Sequence, residues 1–157
     1  DWTNKMGEPG VENPIIHSTF SYAAQMVVID RVSQKIERVV AVHDVGRIVN
    51  PTLCEGQVEG SVHMGLGYAL TEEFPSDPVT AFPTNMTLRS LGILRAKDVP
   101  KIEVKLIESA QPNSPYGIKG VGEIGLVPTA GAVAAALKEL DGQWRNTLPM
   151  RRDKQED

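Results

Sequence analysis

The stretch Tyr116-Gly117-Ile118-Lys119-Gly120-Val121-Gly122-Glu123-Ile124-Gly125 sets one carboxylate, Glu123, among four glycines and directly before an apolar run. Glycine permits close approaches that a β-carbon would block. From Leu126 to Leu140 the residues fall at helical spacing, with Val133, Ala134, Leu137 and Leu140 as the buried stripe. Pro128 suits the first turn of such a helix, and Asp141-Gly142 stops it with a left-handed cap. A helix N-terminus offers unpaired N–H groups to a polar or anionic ligand. The pattern therefore holds a carboxylate in a loop bare of side chains, suited to chemistry on something large and flat. A capped turn with a solvated glutamate is the plainer reading of the same residues.

Working outward, Ile102, Val104 and Leu106 alternate with Glu103, Lys105 and Ile107, which predicts a strand over 102–108. Further upstream, Thr19 to Ile29 alternates, with Phe20, Tyr22, Ala24, Met26 and Val28 on one face. Asp30 to Lys35 is turn-like, and Ile36, Arg38, Val40 and Val42 alternate with Glu37, Val39 and Ala41. These two runs predict a hairpin ending at His43-Asp44-Val45-Gly46, with Asn50-Pro51 marking a turn. Leu53 to Glu73 reads as a helix, with Val58, Val62, Leu66 and Ala69 as its apolar stripe. Gly56, Gly60, Gly65 and Gly67 lie inside it. Each costs a helix interior about 1 kcal/mol relative to alanine. Four of them predict that something packs very close to this helix. Phe74 to Pro100 is broken by prolines and reads as irregular.

The order predicts an α+β fold: a mixed sheet with a long β-hairpin, packed against two helices. Residues 1–17 read as an irregular lead-in, 18–142 as the domain and 143–157 as a tail, charged beyond Pro149. The polar start at Asp1 reads as a chain entered mid-stream.

Composition is that of an ordinary soluble globular domain, at 157 residues, 41% hydrophobic and 23% charged. A net charge of −4 supplies no basic field for nucleic acid or anionic lipid. No apolar run approaches the roughly 20 residues that span a bilayer. No signal-peptide pattern opens the chain. The lone Cys54 excludes an internal disulfide framework and a cysteine-cluster metal site, which points to a reducing, cytoplasmic setting. Beside Glu55 it lacks the electropositive surroundings of a thiolate nucleophile and reads as a small packed hydrophobe. His17, His43 and His63 lack metal-ligand spacing, so no metal-ligating residue is assigned. The glycine loop is neither a P-loop nor a dinucleotide fingerprint. With so few protein catalysts, the hard step of any reaction here falls to a cofactor.

Three segments together resemble the C-terminal molybdenum-cofactor-binding domain of the xanthine dehydrogenase and aldehyde oxidase family. They are His43-Asp44-Val45-Gly46-Arg47-Ile48-Val49-Asn50-Pro51, then Glu55-Gly56-Gln57-Val58-Glu59-Gly60 with its continuation Met64 to Glu73, then Lys119-Gly120-Val121-Gly122-Glu123. Their order and spacing also fit, and the match runs from about Ser18 to Leu140.

The resemblance implies a part of a larger molybdopterin-binding domain. Gln57 matches the glutamine that hydrogen-bonds the molybdenum centre. Glu123 matches the active-site base beside the metal. Gly56, Gly120, Val121 and Gly122 would line the cofactor approach. The implied reaction is hydroxylation of an electron-poor carbon in a heteroaromatic, purine-like ring or an aldehyde, with oxygen from water. The implied cofactor is molybdopterin, with a dinucleotide form left open. Iron–sulfur and flavin (FAD) groups would reside on other domains or subunits, which with the rest of the molybdenum-binding region are the expected partners. After the glutamate the chain reads Ile124-Gly125-Leu126, where many animal members carry prolines, and with Pro83-Thr84-Asn85-Met86 it looks like bacterial xanthine dehydrogenases. This length cannot form the whole site, so the chain reads as a fragment, inactive alone. A non-catalytic assembly or interaction module with the same fold is the alternative. Retention of both Gln57 and Glu123 favours the enzyme.

Overall fold

The computed structural model describes residues 9–12, 19–112 and 114–150. Most of the lead-in and the end of the tail, 151–157, lie outside them. Five main elements follow in order: β1 (Ala23–Ile29), β2 (Ile36–Asp44), α1 (Pro51–Leu70), β3 (Lys101–Ile107) and α2 (Thr129–Asp141). β2 is the central strand of a three-stranded sheet, antiparallel to β1 and parallel to β3. The fold is α+β, with the mixed sheet, hairpin and two helices that the periodicities predict. The parallel return to β3 runs through α1 and the irregular segment after it, because parallel neighbours need a long crossover.

The hairpin turns where expected. Asp30 Oδ1 accepts the Ser33 N–H at 2.6 Å, and Asp30 N–H closes onto the Lys35 carbonyl at 2.9 Å. Strand period shows which side chains share a face, and register decides which face is covered. Pairing of Val27 with Val39 and of Gln25 with Ala41 places those residues over the helices. Val27, Val39 and Ala41 join Val58, Val62, Leu66, Ala69, Val133 and Leu137 in one core. The face bearing Phe20, Tyr22, Ala24 and Met26 is the exposed one.

Helix α1 begins at Pro51, two residues before the predicted Leu53. Asn50 is its N-cap, accepting the Leu53 N–H at 3.0 Å, and proline loses nothing at the first helical position. The apparent turn is thus the helix start. The four helix glycines divide. A β-carbon at Gly65 would lie 2.6 Å from both Cβ and Oγ1 of Thr129, so this glycine lets α2 come close. Gly67 faces the Glu72 side chain, whereas Gly56 and Gly60 meet nothing within 4 Å. The expected close packing is thus met at Gly65 and Gly67 and not at Gly56 and Gly60.

Helix α2 starts at Thr129, not Leu126, because Glu123–Gly125 forms a separate 3₁₀ turn first. It ends at Gly142 in the left-handed conformation, with Gly142 N–H on the Lys138 carbonyl at 2.7 Å. The chain beyond returns to the core. Met150, placed in the tail by composition, is buried, and its N–H donates to the Ala69 carbonyl at 2.7 Å.

A buried ion pair ties the end of β2 to the glycine loop. Lys119 Nζ lies 2.6 Å from Asp44 Oδ2, with both side chains under a tenth exposed. The Gly46 N–H donates to Asp44 Oδ1 at 3.1 Å. Burial is the largest single influence on the Asp44 carboxyl and pushes its pKa up. The Lys119 hydrogen bond, the Gly46 N–H and the Lys119 charge together outweigh it and hold the carboxyl below the usual aspartate range.

Two expectations about stability result. Gly65→Ala overpacks the α1–α2 contact and should destabilise by about 1–3 kcal/mol. Gly60→Ala, in open space, should stabilise by about 0.5–1 kcal/mol. Urea melts of the two variants, with shifts of opposite sign, check this. Lys119→Met strands a buried carboxylate and should destabilise by about 3–5 kcal/mol, while Asp44→Asn/Lys119→Met should recover most of that loss. Because the folded pKa of Asp44 lies below its unfolded value of about 3.9, its contribution is complete above that pH. It is lost as pH falls through the folded value. The stability gap between the parent and Asp44→Asn should therefore close on acidification below about pH 4.

Candidate functional site

The loop from Gly117 to Gly125 is fixed from three directions. At its start, the Gly117 carbonyl accepts from Arg47 N–H at 2.9 Å and from Gln111 N–H at 3.1 Å. Gly46 pairs with Ile118 as an antiparallel bridge. Gly46 has φ +64, and a β-carbon there would lie 2.6 Å from the Lys119 amide nitrogen. Only glycine lets the His43–Arg47 motif and the loop meet this closely.

In the middle, the Ser61 hydroxyl shares its one proton between the Gln57 carbonyl at 2.9 Å and the Gly122 carbonyl at 3.1 Å, and the Gly122 carbonyl also accepts from Gln57 Nε2 at 3.4 Å, a long contact. At its end, the Gly125 carbonyl accepts from Gln25 Nε2 at 2.6 Å and from Thr129 Oγ1 at 3.3 Å. A β-carbon at Gly125 would lie 2.7 Å from Ser61 Cβ. Ser61, Gln25 and Thr129 escape the sequence reading, since each acts on a backbone carbonyl that no motif marks. Ser61 alone leaves a trace, one helical turn beyond Gln57 on the same face.

Glu123 opens the 3₁₀ turn and is exposed. It makes no salt bridge among the described residues. Gln57, 66 positions earlier (123 minus 57), is also exposed and reaches the residue directly before Glu123. The structure thus brings Gln57, Gly122 and Glu123 together. Gly120 and Gly122 meet nothing within 4 Å where a β-carbon would stand, and Val121 between them packs toward the core. The surface beside Gln57 and Glu123 is therefore bare backbone, which fits the approach of a flat ligand.

Gly56 lies elsewhere. With Gly60, Glu59 and His63 it lines a groove of about 490 Å³ against Ala96, Val99, Pro100 and Ile102. Gly120, Val121 and Gly122 do not line this groove. Helix geometry supplies the reason. Successive residues are rotated by about 100°, so the Gly56/Gly60 row and the Gln57/Ser61 row face different directions.

His63 and Cys54 are engaged structurally. His63 is bonded through Nε2 to the Leu94 carbonyl at 2.9 Å, and His17 lies outside the described residues. Burial and then the Glu55 charge push the Cys54 thiol up, away from thiolate character. Among the described residues no cluster of His, Cys, Asp and Glu could hold a metal ion. No helix among them is long and apolar enough to cross a membrane. The surface beside Gln57 and Glu123 instead offers an organic ligand a glutamine amide and bare glycines.

Comparison with known proteins agrees. The profile of the molybdopterin cofactor-binding domain matches residues 1–100. The xanthine dehydrogenase molybdenum-binding subunit of Escherichia coli O157:H7 is 40% identical over 115 residues, covering 73% of this chain and 15% of that subunit. The aldehyde oxidoreductase molybdenum-binding subunit of Escherichia coli K12 is 35% identical over 121 residues, covering 76% and 16%. Among solved structures, quinoline 2-oxidoreductase from Pseudomonas putida 86 superposes with a TM-score of 0.64 at 33% identity, covering 73% of this chain and 15% of that one. The chain spans about 15% of the length of these relatives. It belongs to the molybdopterin cofactor-binding domain family.

Proposed function

We propose that this chain forms part of the active-site wall of a molybdenum hydroxylase large subunit, with Glu123 as the general base and Gln57 as a hydrogen-bonding partner of molybdopterin. The observation that carries this reading is the contact of Gln57 Nε2 with the Gly122 carbonyl, which sets the amide beside the Glu123 turn. A glutamine amide has two donors and one acceptor oxygen. One donor is engaged by Gly122, leaving the other N–H and Oε1 for the cofactor. Gly120 and Gly122 keep side-chain bulk out of its path, with Val121 anchoring the loop between them. Molybdopterin with its metal, when bound, supplies the two-electron oxidation that no side chain here can perform.

Glu123 accepts the proton released as water becomes the attacking oxygen. Its exposure and freedom from ion pairing among the described residues keep it available for that transfer. The substrate class is a heteroaromatic ring of the purine or xanthine kind, or an aldehyde, in line with the relatives named for xanthine, aldehyde and quinoline. Iron–sulfur and flavin groups on other domains or subunits of a cytoplasmic complex would take up the electrons. Residues 18–142 form the unit that carries this role, with Gly56 on its margin.

The test uses the complete enzyme that contains this chain. Glu123→Gln is nearly isosteric but accepts no proton, and should lower turnover by about 10² to 10⁴. Molybdenum content by elemental analysis should stay at the parent level. Turnover of xanthine, quinoline and aldehyde substrates left unchanged in Glu123→Gln at full molybdenum content would remove Glu123 as the base. Gln57→Ala should have a smaller, mixed effect on occupancy and rate.

A further inference from the structure

The Gln25–His43 pair under the glycine loop has no part in the chemistry above, yet it is built with care. Gln25 on β1 and His43 on β2 share the inward face of the sheet, since Ala23 pairs with His43 and Gln25 with Ala41. His43 is completely buried. The Gln25 side-chain nitrogen lies 2.6 Å from the Gly125 carbonyl and 3.3 Å from His43 Nε2. An amide nitrogen carries two hydrogens, and here each meets an acceptor. The carbonyl can only accept, so the amide must present its nitrogen to it. His43 Nε2 then accepts the second hydrogen, which places the imidazole proton on Nδ1. Burial also lowers the His43 pKa and favours this neutral ring. Among the described residues, His43 Nδ1 and Gln25 Oε1 have no partner. Buried polar groups left in that condition weaken a fold, and an apolar pair would suit the core better. Among the described residues, the one side-chain hydrogen bond that leaves the pair ends on Gly125, two residues from Glu123.

We infer that Gln25, oriented by His43, is a positioning residue for Glu123. Gln25 fixes the Gly125 carbonyl from the sheet side, and Thr129 Oγ1 and the packed Ser61 fix the same residue from the helices. The 3₁₀ turn Glu123–Gly125 is only three residues long, so fixing its last carbonyl sets the direction in which its first side chain leaves. This inference rests on the proposed role of Glu123.

The experiment compares Gln25→Leu, Gln25→Glu and Glu123→Gln in the complete molybdenum enzyme that contains this chain. Gln25→Leu should lower kcat by about 10 to 100-fold, the size expected when a reacting group is misplaced by a fraction of an ångström to an ångström. KM should change less than about twofold, because substrate contacts are untouched. Molybdenum content should match the parent, and amide hydrogen exchange over residues 123–126 should speed up. In Gln25→Glu the new carboxyl can donate to the Gly125 carbonyl only when protonated. Its kcat relative to the parent should therefore rise as pH falls, a ratio in which titration of Glu123 itself cancels. Parent-like kcat and exchange in Gln25→Leu overturn the inference. So does a uniform loss of kcat, substrate affinity and molybdenum, which marks a merely structural residue. If Gln25→Leu does not accumulate, a pH-independent kcat ratio in Gln25→Glu overturns it. Full turnover in Glu123→Gln sinks the underlying reading instead, so the two failures are separable.

Discussion

The loop that carries Glu123 has to be held in place although four of its nine positions, Gly117 to Gly125, have no side chain. The structure meets this constraint through backbone carbonyls. Those of Gly117 and Gly125 each accept two donors, and that of Gly122 takes the Gln57 amide and a share of the Ser61 hydroxyl, the donors coming from β1, α1, α2 and the segments that follow β2 and β3. A carbonyl has two lone pairs, and a glycine leaves room for both donors to reach it. Side-chain bulk is thereby kept off the surface at Gly120 and Gly122, while the path of the backbone is still set from three sides.

The Asp44–Lys119 pair works at the entrance to the same loop. Buried ion pairs are weak sources of net stability, because desolvation offsets most of the attraction. Their stronger effect is on alternatives: a misplaced loop would leave both charges buried and unmatched. The pair joins residues 75 positions apart and selects one seating of the loop on β2. Gly46 makes that seating sterically possible, and its N–H completes the Asp44 carboxylate. His43 and Asp44, adjacent in sequence, point to the two ends of the loop, His43 through Gln25 to Gly125 and Asp44 directly to Lys119.

Much of the architecture is legible in the sequence because burial imposes a period. The hairpin, the α1 stripe of Val58, Val62, Leu66 and Ala69, and the Gly142 cap follow from spacing and glycine chemistry. Other features depend on partners that spacing does not reveal. Asn50-Pro51 looks like a turn until Asn50 is seen to cap a helix. Phe20 and Tyr22, just before β1, continue the face of Met26 within it and make it the more aromatic one, yet register with β2 turns it outward. Met150 sits beside a charged terminus, but a hydrogen bond to Ala69 draws it into the core. At the candidate site, Gln57 and Glu123 are visible through their motifs. Gln25 is not, since its target lies 100 residues away and is a carbonyl, which every residue possesses.

The three motifs contribute different kinds of atom. The His43–Arg47 segment supplies the Asp44 carboxylate and backbone N–H groups that seat the loop. Helix α1 supplies a side-chain amide and a hydroxyl, Gln57 and Ser61, on a row separate from the Gly56/Gly60 groove. The loop itself supplies carbonyls that are fully engaged below and a carboxylate that is exposed. On the proposed reading of Glu123, holding and reacting fall to different atoms of one short segment. A base that must move a proton cannot also be tied into the contacts that position it, because each hydrogen bond accepted by a carboxylate lowers its affinity for that proton. Anchoring Glu123 through the carbonyls of its glycine neighbours fixes its place and leaves its carboxylate uncommitted.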